Sequence, residues 1–304
     1  MGVYNGAATL ESTLKSVLSQ EACDFEFVVV NDGSTDQTPQ ILDAFAATDP
    51  RLRVINQKNT GLTRALVMGC DAARGEFIAR QDVGDLSLPG RFCRQWHCMR
   101  DQPELAFMSA HTRFVGPEGE FLFLQRGTGL ASLPVQIIDL GLVHGVVDGP
   151  THHGSVMFRR EQYMRAGGYR AAFRFAQDWD LWFRLAEQGS FLMLNEVLYQ
   201  ARVGLTDISV SNKVMQERLA AIARKCLTLR ATGSDESGLL DEANAQVPSH
   251  VDVKLRTARG AYFVGECLRR NGDMDAASDY FRIAISNCPT HAKAWVRLAQ
   301  AILA

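Results

Sequence analysis

Residues 75–85 read Gly75-Glu76-Phe77-Ile78-Ala79-Arg80-Gln81-Asp82-Val83-Gly84-Asp85, an apolar strand-like segment that delivers two carboxylates onto a loop containing glycine. One or two carboxylates, with substrate phosphates completing the shell, are what Mg²⁺ or Mn²⁺ takes, and the carboxyl end of a strand in an open α/β sheet is where such sites lie. Asp and Gly also favour turns for backbone reasons alone, so this stretch takes its meaning from its surroundings.

Upstream, Leu10, Leu14, Val17 and Leu18 fall at helical spacing, and residues 25–30 form a run with the length and β-branched content of a buried strand. Ser34 or Thr35 is placed to cap a helix carrying Ile41, Leu42 and Phe45. Residues 52–55 read as a strand, Gly61 opens a helix through Leu62, Leu66 and Ala73, and residues 77–79 form the next strand. Such alternation predicts a doubly wound α/β sheet. Beyond Pro89 the pattern gives a helix over 92–99, a strand pair over 107–115 and 120–124, a strand over 155–158 and a helix over 178–187. This half is expected to build the wall facing a second substrate.

The 304 residues are 46% hydrophobic and 22% charged with a formal net charge of −2, ordinary globular material without the basic patch of a nucleic-acid binder. The seven cysteines are odd in number and form no CxxC pair, which predicts reduced thiols in a cytoplasmic protein. No apolar run approaches the ~18–20 residues of a spanning helix, and residues 1–22 do not read as a signal peptide. The expected location is the cytoplasm, with any membrane contact peripheral and at the inner face.

Residues 231–250 are rich in small and polar side chains and read as a linker. After it, with Pro289 at position 32 of a 34-residue period, Ala261, Gly265, Leu268, Ala277, Phe281 and Ala284 fall where a tetratricopeptide repeat wants large, small, large, small, aromatic and small residues, and Trp295, 34 residues after Ala261, falls on the aromatic position of the next period. The region 251–304 therefore resembles one full repeat and the first helix of another. About three repeats are needed for a free-standing solenoid, so this one is expected to lean on the rest of the chain, a protein partner or a second copy.

Five motifs in order, Val3-Tyr4-Asn5, Val28-Val29-Val30-Asn31-Asp32-Gly33-Ser34, Gly61-Leu62-Thr63-Arg64-Ala65, Ala79 to Asp85, and Gln177-Asp178-Trp179-Asp180-Leu181-Trp182, make residues 2–200 resemble a family 2 glycosyltransferase with the GT-A fold. The resemblance implies transfer of a sugar from a nucleotide-sugar, a UDP-sugar by preference, to an acceptor hydroxyl with inversion at the anomeric carbon. The implied organisation is a GT-A domain over 1–230, its nucleotide-sugar half over 1–88 and its acceptor half over 89–230, with a mixed sheet and a small all-α appendage. The acceptor is not specified, and polysaccharide or glycoconjugate biosynthesis is the implied setting.

Carried over by position, Val3 and Tyr4 line the nucleobase and ribose pocket, Asp32 accepts from the base, and Arg64 lies near base or ribose. A carboxylate suits the N3 proton of uracil; an Asx turn with Gly33 and Ser34 is the structural alternative for Asp32. Asp82 and Asp85 occupy the metal motif for Mn²⁺ or Mg²⁺, with Gly84 where the family has a further Asp. Asp178 matches the catalytic base, preceded by Gln177 where the family has Glu. Trp179 reads as an acceptor platform and Trp182 as core. His152 and His153 are placed to contact diphosphate or acceptor, His153 being the one assigned to the acceptor side.

The family's sheet begins with an apolar strand just before Val-Tyr-Asn, and Met1 stands where that strand would end. The first strand is thus expected to be missing, with an apolar in-frame segment upstream of Met1 as the preferred account. Two rivals stand beside the main reading. A nucleotidyltransferase would need a basic Gly-rich loop, and Asn5-Gly6-Ala7-Ala8 has no basic residue. A catalytically impaired nucleotide-sugar-binding scaffold would act through the repeat.

Overall fold

The computed structural model describes residues 1–21, 24–127, 146–147, 149–206, 213–246 and 252–302. The chain divides into two compact units, one of residues 1–112, 125–201 and 218–245, the other of 113–124, 202–217 and 246–304. The fold is mixed α/β with a C-terminal helical region.

The first unit starts with β1 (Gly2–Val3), α1 (Ala7–Leu18), β2 (Phe27–Asp32), α2 (Thr38–Ala46), β3 (Leu52–Gln57), α3 (Leu62–Ala72) and β4 (Phe77–Ala79). β2 runs parallel to β3 from the pair Phe27 and Leu52 to the pair Asp32 and Gln57. All six residues of β2 are buried, which is why it reads as a continuous apolar run and not as an alternation. Leu10, Leu14 and Val17 of α1 pack with Val29, Leu42 and Leu52, each buried side chain contributing about 1.5–3 kcal/mol.

β4 belongs to a second, mixed sheet. Its order is β4, β9 (Met157–Arg159), β6 (Leu105–Val115), β10 (Ser190–Arg202), β5 (Leu86–Ser87), and β7 (Phe121–Gly127) pairs with both β6 and β8 (Val146–Val147). α4 (Arg91–Asp101), α5 (Arg160–Arg165) and α6 (Gln177–Ala186) accompany these strands. Leu181, Trp182 and Leu185 of α6 enter a core with Phe107, Phe158 and Phe191.

Four expectations meet the structure only in part. First, of the strand expected to be missing only two residues are in place: Gly2 pairs with Val30 and Val3 with Asn31. The Met1 amine donates to the Val28 carbonyl at 2.8 Å and the Met1 carbonyl accepts from Val30 at 2.8 Å, prolonging the ladder. Among the described residues no ladder joins β2 to β4, and a cavity of about 220 Å³ bordered by Phe27, Val28, Phe77, Ala79, Phe92 and Met157 lies there. Second, α2 starts at Thr38, where Pro39 favours a first turn. Ser34 and Thr35 bond to Asn5 instead, Asn5 N–H donating to Ser34 Oγ at 2.9 Å and Thr35 N–H to Asn5 Oδ1 at 2.8 Å. Third, the strand expected over 155–158 starts at Met157, because His153–Ser155 forms a 3₁₀ turn whose Gly154 N–H donates to His152 Nδ1.

Fourth, the expected linker carries α8 (Ser237–Asn244), which follows α7 (Lys213–Ala231). Glu236 pairs with Arg170 and Arg230, while Arg230 also pairs with Glu187. Residues 247–250 of that segment lie outside the described residues, as does Cys23.

The second unit contains α9 (Val253–Arg270), α10 (Met274–Asn287) and α11 (Ala292–Ile302). Ala261, Leu268, Ala277, Phe281 and Ala284 are buried, and a Cβ at Gly265 would stand 2.7 Å from the Phe281 ring, so the two helices approach closely only with glycine there. Leu122 joins this core, and Asn271 Nδ2 donates to the carbonyls of Phe121 and Leu122, both at 2.9 Å. The repeat thus packs on residues 113–124, a strand pair whose own sequence marks it only as part of the acceptor half. The Trp295 indole donates to the Pro289 carbonyl at 2.9 Å with half its surface exposed.

Candidate active site

The loop leaving β4 is wired from within. Gln81 Nε2 donates to the carbonyls of Asp82 and Asp85, both at 3.0 Å, while its Oε1 accepts from Ser87 Oγ at 2.8 Å. Thr13 Oγ1, reaching from α1, donates to the Asp85 carbonyl and accepts from Gly84 N–H, both at 3.0 Å. The buried Arg91 donates to the Arg80 carbonyl at 2.9 Å and to Ser87 Oγ at 2.9 Å. Gly84 has φ +94°, a conformation that strains any residue with a Cβ. A third carboxylate at position 84 would carry that strain, and the turn is built without it.

This wiring brings together Asp82, Asp85 and His152, whose ligand atoms all lie within 4.8 Å of one another. Asp82 is paired with Arg80, a nearly fully buried guanidinium. Burial pushes the Asp82 carboxyl up, but Arg80, His153 and His152 outweigh it and hold it at about 2. Asp85, buried, accepts from Tyr199 Oη at 2.9 Å, and its Oδ2 stands 3.6 Å from His152 Nδ1. Because Gly154 N–H donates to His152 Nδ1 at 3.0 Å, the neutral ring carries its proton on Nε2. Burial lowers the His152 pKa and so favours the neutral imidazole, whose Nδ1 would have to exchange the Gly154 N–H for an ion in order to ligate it. Two carboxylates and an imidazole form an O,O,N donor set that fits Mn²⁺ or Mg²⁺, with no thiolate to favour softer metals.

Asp178 lies in the first turn of α6, partly buried, its Oδ1 accepting from Trp179 N–H at 3.0 Å. Burial is the main force on it, reinforced by the charge of Asp82, and raises its pKa to about 6. Asp180, two residues on, is buried and paired with Arg170 and Arg184, which leaves it no role as a base. Trp179 is partly buried against Trp182, ring centroids 4.8 Å apart, and Trp182 is core. His153 sits beside this group with Nε2 2.7 Å from Tyr169 Oη, and burial drives its pKa down to about 3. Of the adjacent histidines, His152 therefore joins the carboxylates, while His153 lies in the aromatic wall. Tyr199, also in contact with the carboxylates, escaped the sequence reading, since a Tyr in a β-strand carries no motif.

Of the residues expected on the nucleotide side, Val3 ends β1, Tyr4 follows it, Asp32 ends β2 and Arg64 lies in the first turn of α3. Val3 is buried in the core and Tyr4 is half exposed. Asp32 Oδ1 accepts from Thr60 N–H at 2.9 Å and Gln57 Nε2 at 2.6 Å, and its Oδ2 accepts from Gly61 N–H at 2.9 Å. Its carboxylate therefore shapes the loop before α3, on which Arg64 is exposed.

An open mixed α/β sheet with an acidic loop at a strand end is the arrangement of GT-A glycosyltransferases. The TarS 1-349 crystal structure from S. aureus superposes with a TM-score of 0.54 at 18% identity, covering 93% of this chain and 79% of that one. The mannosyltransferase PcManGT from Pyrobaculum calidifontis, solved with GDP-Man and Mn²⁺, gives 0.55 at 17% identity, covering 99% and 83%. Residues 1–161 match the family described as Glycosyl transferase family 2, and residues 258–301 match a tetratricopeptide repeat. EpsE of Bacillus subtilis is 33% identical over 208 residues, 66% of this chain and 71% of that protein. The chain belongs to glycosyl transferase family 2. It is also 25% identical to the chondroitin synthase of Pasteurella multocida over 217 residues, 71% of this chain but 21% of that protein, and 28% identical to the amylovoran biosynthesis glycosyltransferase AmsE of Erwinia amylovora over 64% of this chain and 71% of that one. Among the described residues no helix is long and apolar enough to cross a membrane.

Proposed function

We propose that this glycosyltransferase moves a sugar from a UDP-sugar to an acceptor hydroxyl with inversion, in polysaccharide or glycoconjugate biosynthesis, using Mn²⁺ or Mg²⁺ held by Asp82, Asp85 and His152. The observation that carries the reading is the meeting of this O,O,N cluster with a carboxylate, Asp178, raised to about 6. Asp178 accepts the proton of the acceptor hydroxyl as its oxygen attacks the anomeric carbon, and a pKa near the working pH suits that task. Asp82, Asp85 and His152 would hold a Mn²⁺ or Mg²⁺ ion that would supply charge neutralisation for a leaving diphosphate, so that no second acid would be needed. Val3, Tyr4, Asp32 and Arg64 form the nucleotide pocket; Trp179 and His153 line the acceptor side. The names of the chondroitin and amylovoran enzymes support the polysaccharide setting, and the Mn²⁺ in PcManGT supports the metal. A cytoplasmic site of action, peripheral to the membrane, suits a nucleotide-sugar donor. The repeat unit offers a surface to a protein partner or a second copy.

Titration of UDP and GDP with and without Mn²⁺ tests the reading. UDP is expected to bind at least about tenfold tighter with Mn²⁺, and Asp85→Ala to erase the difference. Equal affinity with and without the ion would remove the metal from the proposal, and preference for GDP would overturn the donor.

A further inference from the structure

Tyr199 touches every member of the O,O,N cluster. Its Oη accepts from the Asp82 backbone N–H at 3.1 Å and donates to Asp85 Oδ2 at 2.9 Å. Its ring lies against the His152 imidazole with centroids 5.4 Å apart and an interplanar angle of 24°. The three candidate ligands come from two separate stretches, 82–85 and 152, and one phenol from the far end of β10 spans them.

The ring itself is fixed. Tyr199 pairs with Ser87 across the β10 and β5 ladder, is fully buried, and carries the Arg91 guanidinium over its ring at 4.9 Å from the centroid. Gly154 makes room for the hydroxyl: a Cβ there would stand 1.9 Å from Tyr199 Oη. Glycine two residues after His152 is therefore a steric condition for the phenol to reach the loop.

The consequence follows from hydrogen-bond chemistry. A phenol O–H that donates to one carboxylate oxygen orients that carboxylate and engages one of its oxygens, while its lone pair fixes the backbone of the neighbouring ligand. From this geometry we infer that Tyr199 is the positioning residue of the metal centre, setting the spacing of Asp82 and Asp85 and the plane of His152 through one hydroxyl and one ring face. The inference rests on the metal reading above.

The test is calorimetric titration of Mn²⁺ into the full chain saturated with UDP, with Tyr199→Phe beside the wild type. Phe keeps the ring against His152 and Arg91 and removes only the two hydroxyl bonds. Outer partners of metal ligands typically set metal affinity by about 10- to 100-fold, so Tyr199→Phe is expected to weaken Mn²⁺ by about that factor. UDP affinity without metal should stay within about twofold and the metal-free melting temperature within a few degrees. A merely structural role would lower the melting temperature and leave Mn²⁺ affinity intact. Wild-type binding of Mn²⁺ with an unchanged affinity in Tyr199→Phe overturns the inference and leaves the metal reading standing. A melting temperature lowered by more than about 10 °C assigns the hydroxyl to the fold and also overturns it. No Mn²⁺ binding by the wild type would remove the metal reading, and this inference with it.

Discussion

The two faces of the first turn of α6 treat a carboxylate in opposite ways. Asp180 points into a buried pair with Arg170 and Arg184, and Arg170 continues through Glu236 to Arg230 and Glu187. Asp178, half a turn away, has backbone donors from Trp179 and its own N–H and the repulsion of Asp82, and burial raises its pKa to about 6. Identical side chains two residues apart thus become a structural anchor and a carboxyl of raised pKa, the one proposed as the base. The difference lies in partners that the local sequence does not display, because Arg170 and Glu236 come from other elements.

The largest effect that would sharpen this contrast is on turnover. Asp178→Asn is expected to lower the transfer rate by about 10²- to 10⁴-fold, the usual contribution of a positioned base, with UDP binding in Mn²⁺ within about threefold. Turnover near wild type would assign the base elsewhere and break the contrast.

Next comes Asp180→Asn, which leaves the buried Arg184 guanidinium without its carboxylate and Arg170 with Glu236 alone. Removing one partner of a buried pair destabilises by about 3–5 kcal/mol, read from the urea midpoint. A loss under about 1 kcal/mol would show that the pairing with Arg170 and Arg184 is dispensable.

The smallest effect is on pH dependence. The Asp178 pKa is raised in the fold from its ordinary 3.8 to about 6. The protonated form is therefore favoured by folding, and its contribution is complete below about 4 and is lost as pH climbs through 6. Turnover should run the other way, rising about tenfold per pH unit below 6 and levelling above. Asp178→Asn should flatten the stability slope, melting above wild type at pH 7 but not at pH 4. Parallel stability curves would remove Asp178 as the titrating group.

Most of the fold was legible because β2 is buried on both faces and α1 and α6 carry apolar residues at helical spacing, local patterns that read in one dimension. The Asp82 and Asp85 loop was legible for the same reason, all its parts lying within five residues. The third member of the cluster was not, since choosing His152 over His153 depends on a 3₁₀ turn set by Gly154. Tyr199 needed the antiparallel register of β10 against β5 to bring it to the loop from more than a hundred residues away. α8 hid in a polar stretch because its anchor, Glu236, is held by ions and not by an apolar stripe. The packing of residues 113–124 on the repeat was equally invisible, because the alternation that marks Leu122 as buried does not say which core it enters, and the Asn271 bonds go to backbone carbonyls.

If the donor binds as proposed, the cavity between β2 and β4 gives it a mechanical part to play. Asp32 hangs from one sheet and Asp82 from the other, and among the described residues no strand ladder carries force directly between them. A donor that reached both loops would act as a clasp across an open seam, its base on one leaf and its diphosphate on the other. Occupancy would then be felt as stiffness in β2 and β4, so that the site is drawn taut by the molecule it holds.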